Sequence, residues 1–406
     1  MITFLIIVLK SFFWILIPIT LTVNKYKIFT IGGETMKKSI FTIPADFKTE
    51  SIDKFVELNK TASIKLEEVY GSTKTHGIGS GRKYSLIPDV EENQLKKYVK
   101  HCNKNNINFN YSLNLSCANN MEFTENGIKK FNVEISKLVA MGINNFTVAL
   151  PGLIELFNES FPNVDITLSV ISGVDSTGKM ETFCKYSNVK YIYIQEKVYR
   201  QIDAIRRLIE IAHENNKKVG IIINSFCLSE CMYRQFHYDL AAHSTTNRSY
   251  VIPDYYRAKC ALEKITNKKN VLTIPWVRPE DMQMYTDIGV DKFKVTGREM
   301  LAGGNMFKVF ETYNSKSYQG NLVDLFMCFD KCLHSDVIRI SNDKNLEKYL
   351  KDVFSGKNDC NTIGCTNCMK CEKALDSITF DVKEQKKWIA IFEDQFKEYR
   401  STLKML

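Results

Sequence analysis

No internal repeat and no low-complexity tract interrupts these 406 residues, and only 8 of them are proline. That excludes a collagen-like or disordered chain. The short motifs of familiar enzymes are missing as well. There is no Gly-x-Ser-x-Gly nucleophile elbow, no His-Glu-x-x-His and no complete Gly-x-x-x-x-Gly-Lys-Ser/Thr phosphate loop. His213-Glu214 lacks the second histidine. A radical S-adenosylmethionine motif would need a third cysteine at position 234, where Arg234 stands. No assembled hydrolase machinery is visible. Nor are the cysteines spread evenly as a disulfide framework, which excludes a small secreted scaffold.

What is present is globular. Hydrophobic residues make up 44% and charged residues 25%. The formal net charge of +9 permits an anionic partner without demanding one. The length accommodates an α/β barrel of about 250 residues plus a smaller appendage. Residues 2–23 (ITFLIIVLKSFFWILIPITLTV) are almost wholly apolar and long enough to span a bilayer. From Met36, however, MKKSIFTIPADF reads as an ordinary cytosolic start. Ile31-Gly32-Gly33-Glu34-Thr35 can be encoded by a purine-rich stretch of the kind that precedes bacterial start codons. Residues 1–35 are therefore read as lying upstream of the true start, with a membrane anchor as the alternative, and the protein is expected in the cytoplasm.

From residue 41 short β-branched or aromatic runs alternate with helical stretches. The runs are FTIPA (41–45), IKLEEVYG (64–71), INFNYSLN (107–114), NFTVALP (145–151), DITLSVIS (165–172), KYIYIQ (190–195), KVGIIINS (218–225) and KFKVTG (292–297). Strands such as VGIIIN and FTVAL read as apolar without alternation, as expected for parallel strands covered on both faces. Eight of them alternating with helices predict a TIM-like (β/α)₈ barrel over 36–330, with a doubly wound open sheet as the rival. A small helical cysteine-rich module is expected over 331–406.

Twelve cysteines carry the clearest chemical signal. Cys360, Cys365, Cys368 and Cys371 crowd into one short segment, a strong metal pattern open to Zn²⁺ or an Fe–S cluster. Cys227 and Cys231 follow the seventh strand, and Cys117 follows the third beside Asn114. Strand ends are where barrel enzymes build their sites. Sulfurs from both ends, with Cys260 as fourth, are expected to share a metal; a redox dithiol at Cys227 and Cys231 is the alternative. Cys102, Cys184, Cys328 and Cys332 read as ordinary buried thiols. Glu68 and Tyr70 end the second strand and precede HGIGSGR, which contains His76 and Arg82. Arg234, His237 and His243 follow the cysteine pair, and Arg278 and Arg298 flank the eighth strand. Glu68, Tyr70, Arg234 and His237 are the catalytic candidates. Arg82, Arg278 and Arg298 are the expected holders of a carboxylate or phosphate.

Taken together, EEVYGSTKTHGIGSGR (67–82), FNYSLNLSC (109–117), NSFCLSECMYRQFHYDLAAHS (224–244), IPWVRPEDMQMYTDIGVDKFKVTGRE (274–299) and YQGNLVDL (318–325) resemble the peptidase U32 family, the collagenase-like protease group. The resemblance implies the same barrel and, as in several members, a [4Fe–4S] cluster, placed here on Cys117, Cys227, Cys231 and Cys260. The implied activity is redox or hydroxylation chemistry on an RNA base or a small anionic metabolite, which calls for an electron donor. A U32 peptidase is the alternative, and a non-enzymatic, metal-stabilised module binding RNA or protein is the second. The family's Glu-x-Phe run leading to Cys-x4-Gly-x-Cys is absent, which marks a divergent branch.

Overall fold

The structure, a computed structural model, describes residues 39–76, 78–246, 254–355 and 370–404. The apolar stretch 1–35 and Cys360, Cys365 and Cys368 lie outside the described residues. Lys38–Leu406 form one compact unit. No described helix is long and apolar enough to cross a membrane.

Eight parallel strands close into a barrel: β1 (Ile40–Pro44), β2 (Lys65–Gly71), β3 (Asn108–Leu113), β4 (Asn145–Val148), β5 (Asp165–Leu168), β6 (Val189–Tyr193), β7 (Lys218–Ile222) and β8 (Lys292–Lys294). β1 pairs with β8 and seals the cylinder. Every one of the eight runs read from the sequence forms its strand. The expected covering of both strand faces by apolar residues does not hold. The strands alternate with period two, and the polar residues face inward. In β3, Phe109, Tyr111 and Leu113 are buried on one face, while Asn110 and Ser112 are buried on the other. β4 and β5 repeat the pattern with Thr147 and Thr167. Contacts between non-adjacent strands identify the inner face: Asn110 of β3 donates to Thr167 of β5 at 3.2 Å. The outer face is aromatic and aliphatic, as where Phe41 of β1 packs edge-on against Phe310 with ring centroids 5.4 Å apart.

Helices cover that outer face because their apolar residues recur at helical spacing. In the helix Glu92–Lys104 these are Leu95, Tyr98, Val99 and Cys102. Between β6 and β7, the helix Ile202–Glu214 buries Ile202, Ile205, Leu208, Ile209 and Ala212. The helix Glu125–Ala140 begins at Thr124, whose side chain accepts from the Gly127 N–H at 3.1 Å. Beyond the barrel, Ile338–Ile340 and Ile378–Phe380 pair antiparallel as a small separate sheet. The final described helix, Val382–Lys404, packs on the helix Tyr255–Thr266.

The segment between β7 and β8 contains the helix Arg234–Thr246, which bridges distant parts of the barrel mouth. Near its start Arg234 binds Glu196, from the loop after β6, at 2.6 Å. Midway, Ser116 from the loop after β3 donates to Asp239 at 2.6 Å. At its end Ser244 and Thr245 accept from the backbone N–H groups of Tyr84 and Ser80 at 3.1 and 3.0 Å. Thirteen residues span about 20 Å, enough to roof the opening.

Candidate active site at the barrel mouth

Inside the barrel a hydrogen-bonded network replaces the usual aliphatic packing. Lys292 of β8 meets Glu68 of β2 at 2.8 Å, and Asn110 donates to the same carboxylate oxygen at 3.3 Å. Thr147 donates to Asn110 Oδ1 at 2.7 Å. The Lys292 ammonium lies 3.6 Å from the centroid of the Tyr191 ring. Burial pulls Lys292 below the ordinary lysine range, and Glu68 opposes that pull. One layer along β8, Lys294 sits 3.9 Å from the Tyr70 ring centroid and 5.0 Å from that of Tyr193. Gly220 makes room for Tyr193: a Cβ there would meet the tyrosine ring at 2.6 Å.

The catalytic candidates are each engaged by other groups of the chain. Glu68 is consumed by the interior network, and Tyr70 donates its hydroxyl to the Val295 carbonyl at 2.9 Å. Arg234 is pinned by Glu196 and by the Leu228 carbonyl, both at 2.6 Å. His237 is partly exposed, 3.9 Å from Asp254, and burial lowers it against the pull of that carboxylate. The expected anion clamps are also occupied. Arg278 grips Asp281 with two nitrogens at 2.8 Å and Asn342 with a third at 2.9 Å. Arg82 pairs with Glu299 at 2.7 Å. The Arg298 side chain lies outside what is described. Both arginines are engaged in internal ion pairs, Arg278 through its whole fork and Arg82 through Nη2 alone, its Nη1 being buried without a partner.

The sulfurs likewise do not form the expected centre. Cys227 and Cys231 each lie within electrostatic reach of Cys260. Cys117 lies in the loop after β3, next to Ser116, which reaches Asp239 of the helix Arg234–Thr246, and its Sγ accepts from the Asn119 N–H at 3.4 Å. Among the described residues no three His, Cys, Asp or Glu side chains form a metal-holding group. Burial, aided by the Glu196 carboxylate, pushes the Cys227 thiol up to about 11, and burial raises Cys231. Cys102, Cys184 and Cys328 are buried as expected, while Cys332 is half-buried. Cys371 is buried with its sulfur 3.5 Å from the Tyr349 hydroxyl.

A different constellation stands on the rim after β2. His76, only 3% exposed, holds Glu134 of the helix Glu125–Ala140 through Nδ1 at 3.1 Å. The other Glu134 oxygen takes Lys137 at 2.7 Å. Burial pushes the Glu134 carboxyl up, but the bonds from Lys137 and His76 outweigh it and hold the group below its usual range. An ionised carboxylate on Nδ1 assigns the proton there and leaves Nε2 as a lone-pair acceptor. That Nε2 is buried and has no partner. The Thr73 hydroxyl is buried without a partner too. Both residues line one void of about 10 Å³, together with Ser72, Ser80, Tyr84, Tyr111 and Thr245. Tyr111 fixes the loop: its hydroxyl takes the Thr73 N–H at 3.4 Å and donates to the His76 carbonyl at 3.3 Å. His76 is legible inside HGIGSGR, although without a role. Glu134 is not, for it sits on an ordinary exposed-looking helix turn 58 residues away.

Residues 54–198 match the model of peptidase family U32. Over 341 residues the chain is 28% identical to an uncharacterized protease, MJ1657, of Methanocaldococcus jannaschii, covering 82% of this chain and 97% of that protein. Among solved structures it is similar to the U32 peptidase Mk0906, with 13% identity, 64% of this chain and 94% of that chain covered, and a TM-score of 0.46. It is also similar to the citrate synthase SbnG at 7% identity, covering 46% and 78% of the two chains, with a TM-score of 0.28. The U32 resemblance read from the sequence is borne out by the family model and the archaeal relative.

Proposed function

We propose that this U32-like barrel is a hydrolase of the peptidase type, working at its C-terminal mouth by acid–base chemistry. The observation that carries the reading is buried His76 held by half-buried Glu134, with its second imidazole nitrogen unpartnered and hydroxyl residues lining the same void. A carboxylate that fixes the tautomer and steadies the imidazolium is what a general base in acyl transfer requires. The names of the relatives, a protease and a peptidase family, point the same way. The reaction balances without a redox partner. A water oxygen bonds to the peptide carbonyl carbon while its proton passes to His76 Nε2. The C–N bond then breaks, and the imidazolium returns that proton to the leaving amine.

The purified full chain, offered casein, gelatin and a mixed peptide library, is expected to cleave peptide bonds. His76→Gln and Glu134→Gln should each lower kcat by about 10²–10⁴-fold. Cys227→Ser and Cys231→Ser should leave it essentially unchanged, because neither thiol takes part. Absence of cleavage by the unaltered chain, or cleavage indifferent to His76→Gln, overturns the proposal.

A further inference from the structure

We infer that the void beneath His76 holds the attacking water, and that Thr73 is the residue positioning it. The inference rests on the hydrolase reading above and specifies how that site works. Two buried polar atoms, His76 Nε2 and Thr73 Oγ1, lack partners, and their residues line the same small space. A lone pair and a hydroxyl left dry inside a protein are costly, and a bridging water removes both costs. The size decides what fits. About 10 Å³ accommodates one water and no larger group. Tyr84 and Thr245 also line the space, and Thr245 accepts from the Ser80 N–H at 3.0 Å.

The roles follow from the donors and acceptors. His76 Nε2, its partner nitrogen committed to Glu134, accepts one water proton. Thr73 Oγ1 accepts the other or donates to a water lone pair, which aims the remaining lone pair away from both. Thr73 acts through the water and touches no substrate atom. Direct attack by this water also means that no acyl-enzyme forms on a protein hydroxyl.

The test joins a structure with kinetics. A crystal structure of the full chain at a resolution that shows ordered solvent should place one water within about 3 Å of both atoms. Thr73→Val, which keeps the shape and removes the hydroxyl, should displace that water and lower kcat about tenfold or more with KM unchanged. Thr73→Ser should restore both. Added amine nucleophiles should give no transpeptidation product. A dry void, a metal ion in it, an acyl-enzyme captured on a hydroxyl, or a Thr73→Val variant with unaltered kcat each overturns the inference. If the water is present and no peptide is cleaved, the hydrolase reading falls while the water site stands. If peptides are cleaved and the void is dry, the hydrolase reading stands while the water site falls.

Discussion

At the level of single residues, chemistry is decided by what each group has been given as a partner. The arginines illustrate this. Arg82 and Arg278 are legible as an anion-binding set because they crowd near strand ends, yet each is answered by a carboxylate of its own chain. Sequence spacing reports which charges are near the mouth and is silent on which are already spent. The same holds for sulfur. Cys227 is exposed by surface area, while the atoms packed around its sulfur desolvate it and, with Glu196, push its thiol up. A raised thiol is inert at neutral pH and gains thiolate as the pH climbs toward its own value, about 11. Alkylation of Cys227 by iodoacetamide, followed by mass spectrometry, should therefore be slow at pH 8 and about a hundredfold faster at pH 10. A rate already maximal at pH 8 would mean an activated thiolate and would return the pair to candidacy for metal or redox work.

At the level of elements, the eight strands are legible because short β-branched and aromatic runs punctuate the helices at regular intervals. Their polar inner faces are not. In Lys292-Phe293-Lys294 the alternation is plain, but a strand this short carries too few residues to separate period two from chance. Where one residue must be small, the fold is sensitive. Gly220 lies under the Tyr193 ring, so Gly220→Ala forces a ring in a packed interior to move and should cost about 1–3 kcal/mol. Gly178, at the start of the helix Thr177–Cys184, has nothing within 4 Å of an added Cβ. Gly178→Ala should instead gain about 0.4–1 kcal/mol by restricting the unfolded chain. Urea midpoints of the two variants should move in opposite directions. If both fall together, the tyrosine is not what Gly220 accommodates.

For the whole molecule, barrel closure is the step that creates function from residues far apart in sequence. It sets Glu68 against Lys292, 224 positions later, and His76 against Glu134 on the next helix but one. No local pattern encodes such pairs, which is why the strands can be read along the chain while the interior network cannot. The network also carries a liability. Lys292 is 1% exposed and Glu68 4%, so each charge depends on the other. Lys292→Met leaves a buried carboxylate uncompensated and should cost about 3–5 kcal/mol, whereas replacing both members, Lys292→Met with Glu68→Leu, should cost distinctly less. A double-mutant cycle on urea unfolding reads the difference as a large coupling energy. Because both residues stand inside the barrel and not on the His76 loop, the double variant, if folded, should retain peptide cleavage. Loss of cleavage in a stably folded double variant would move the catalytic centre from the rim to the barrel axis, with Lys292 and Glu68 as working groups.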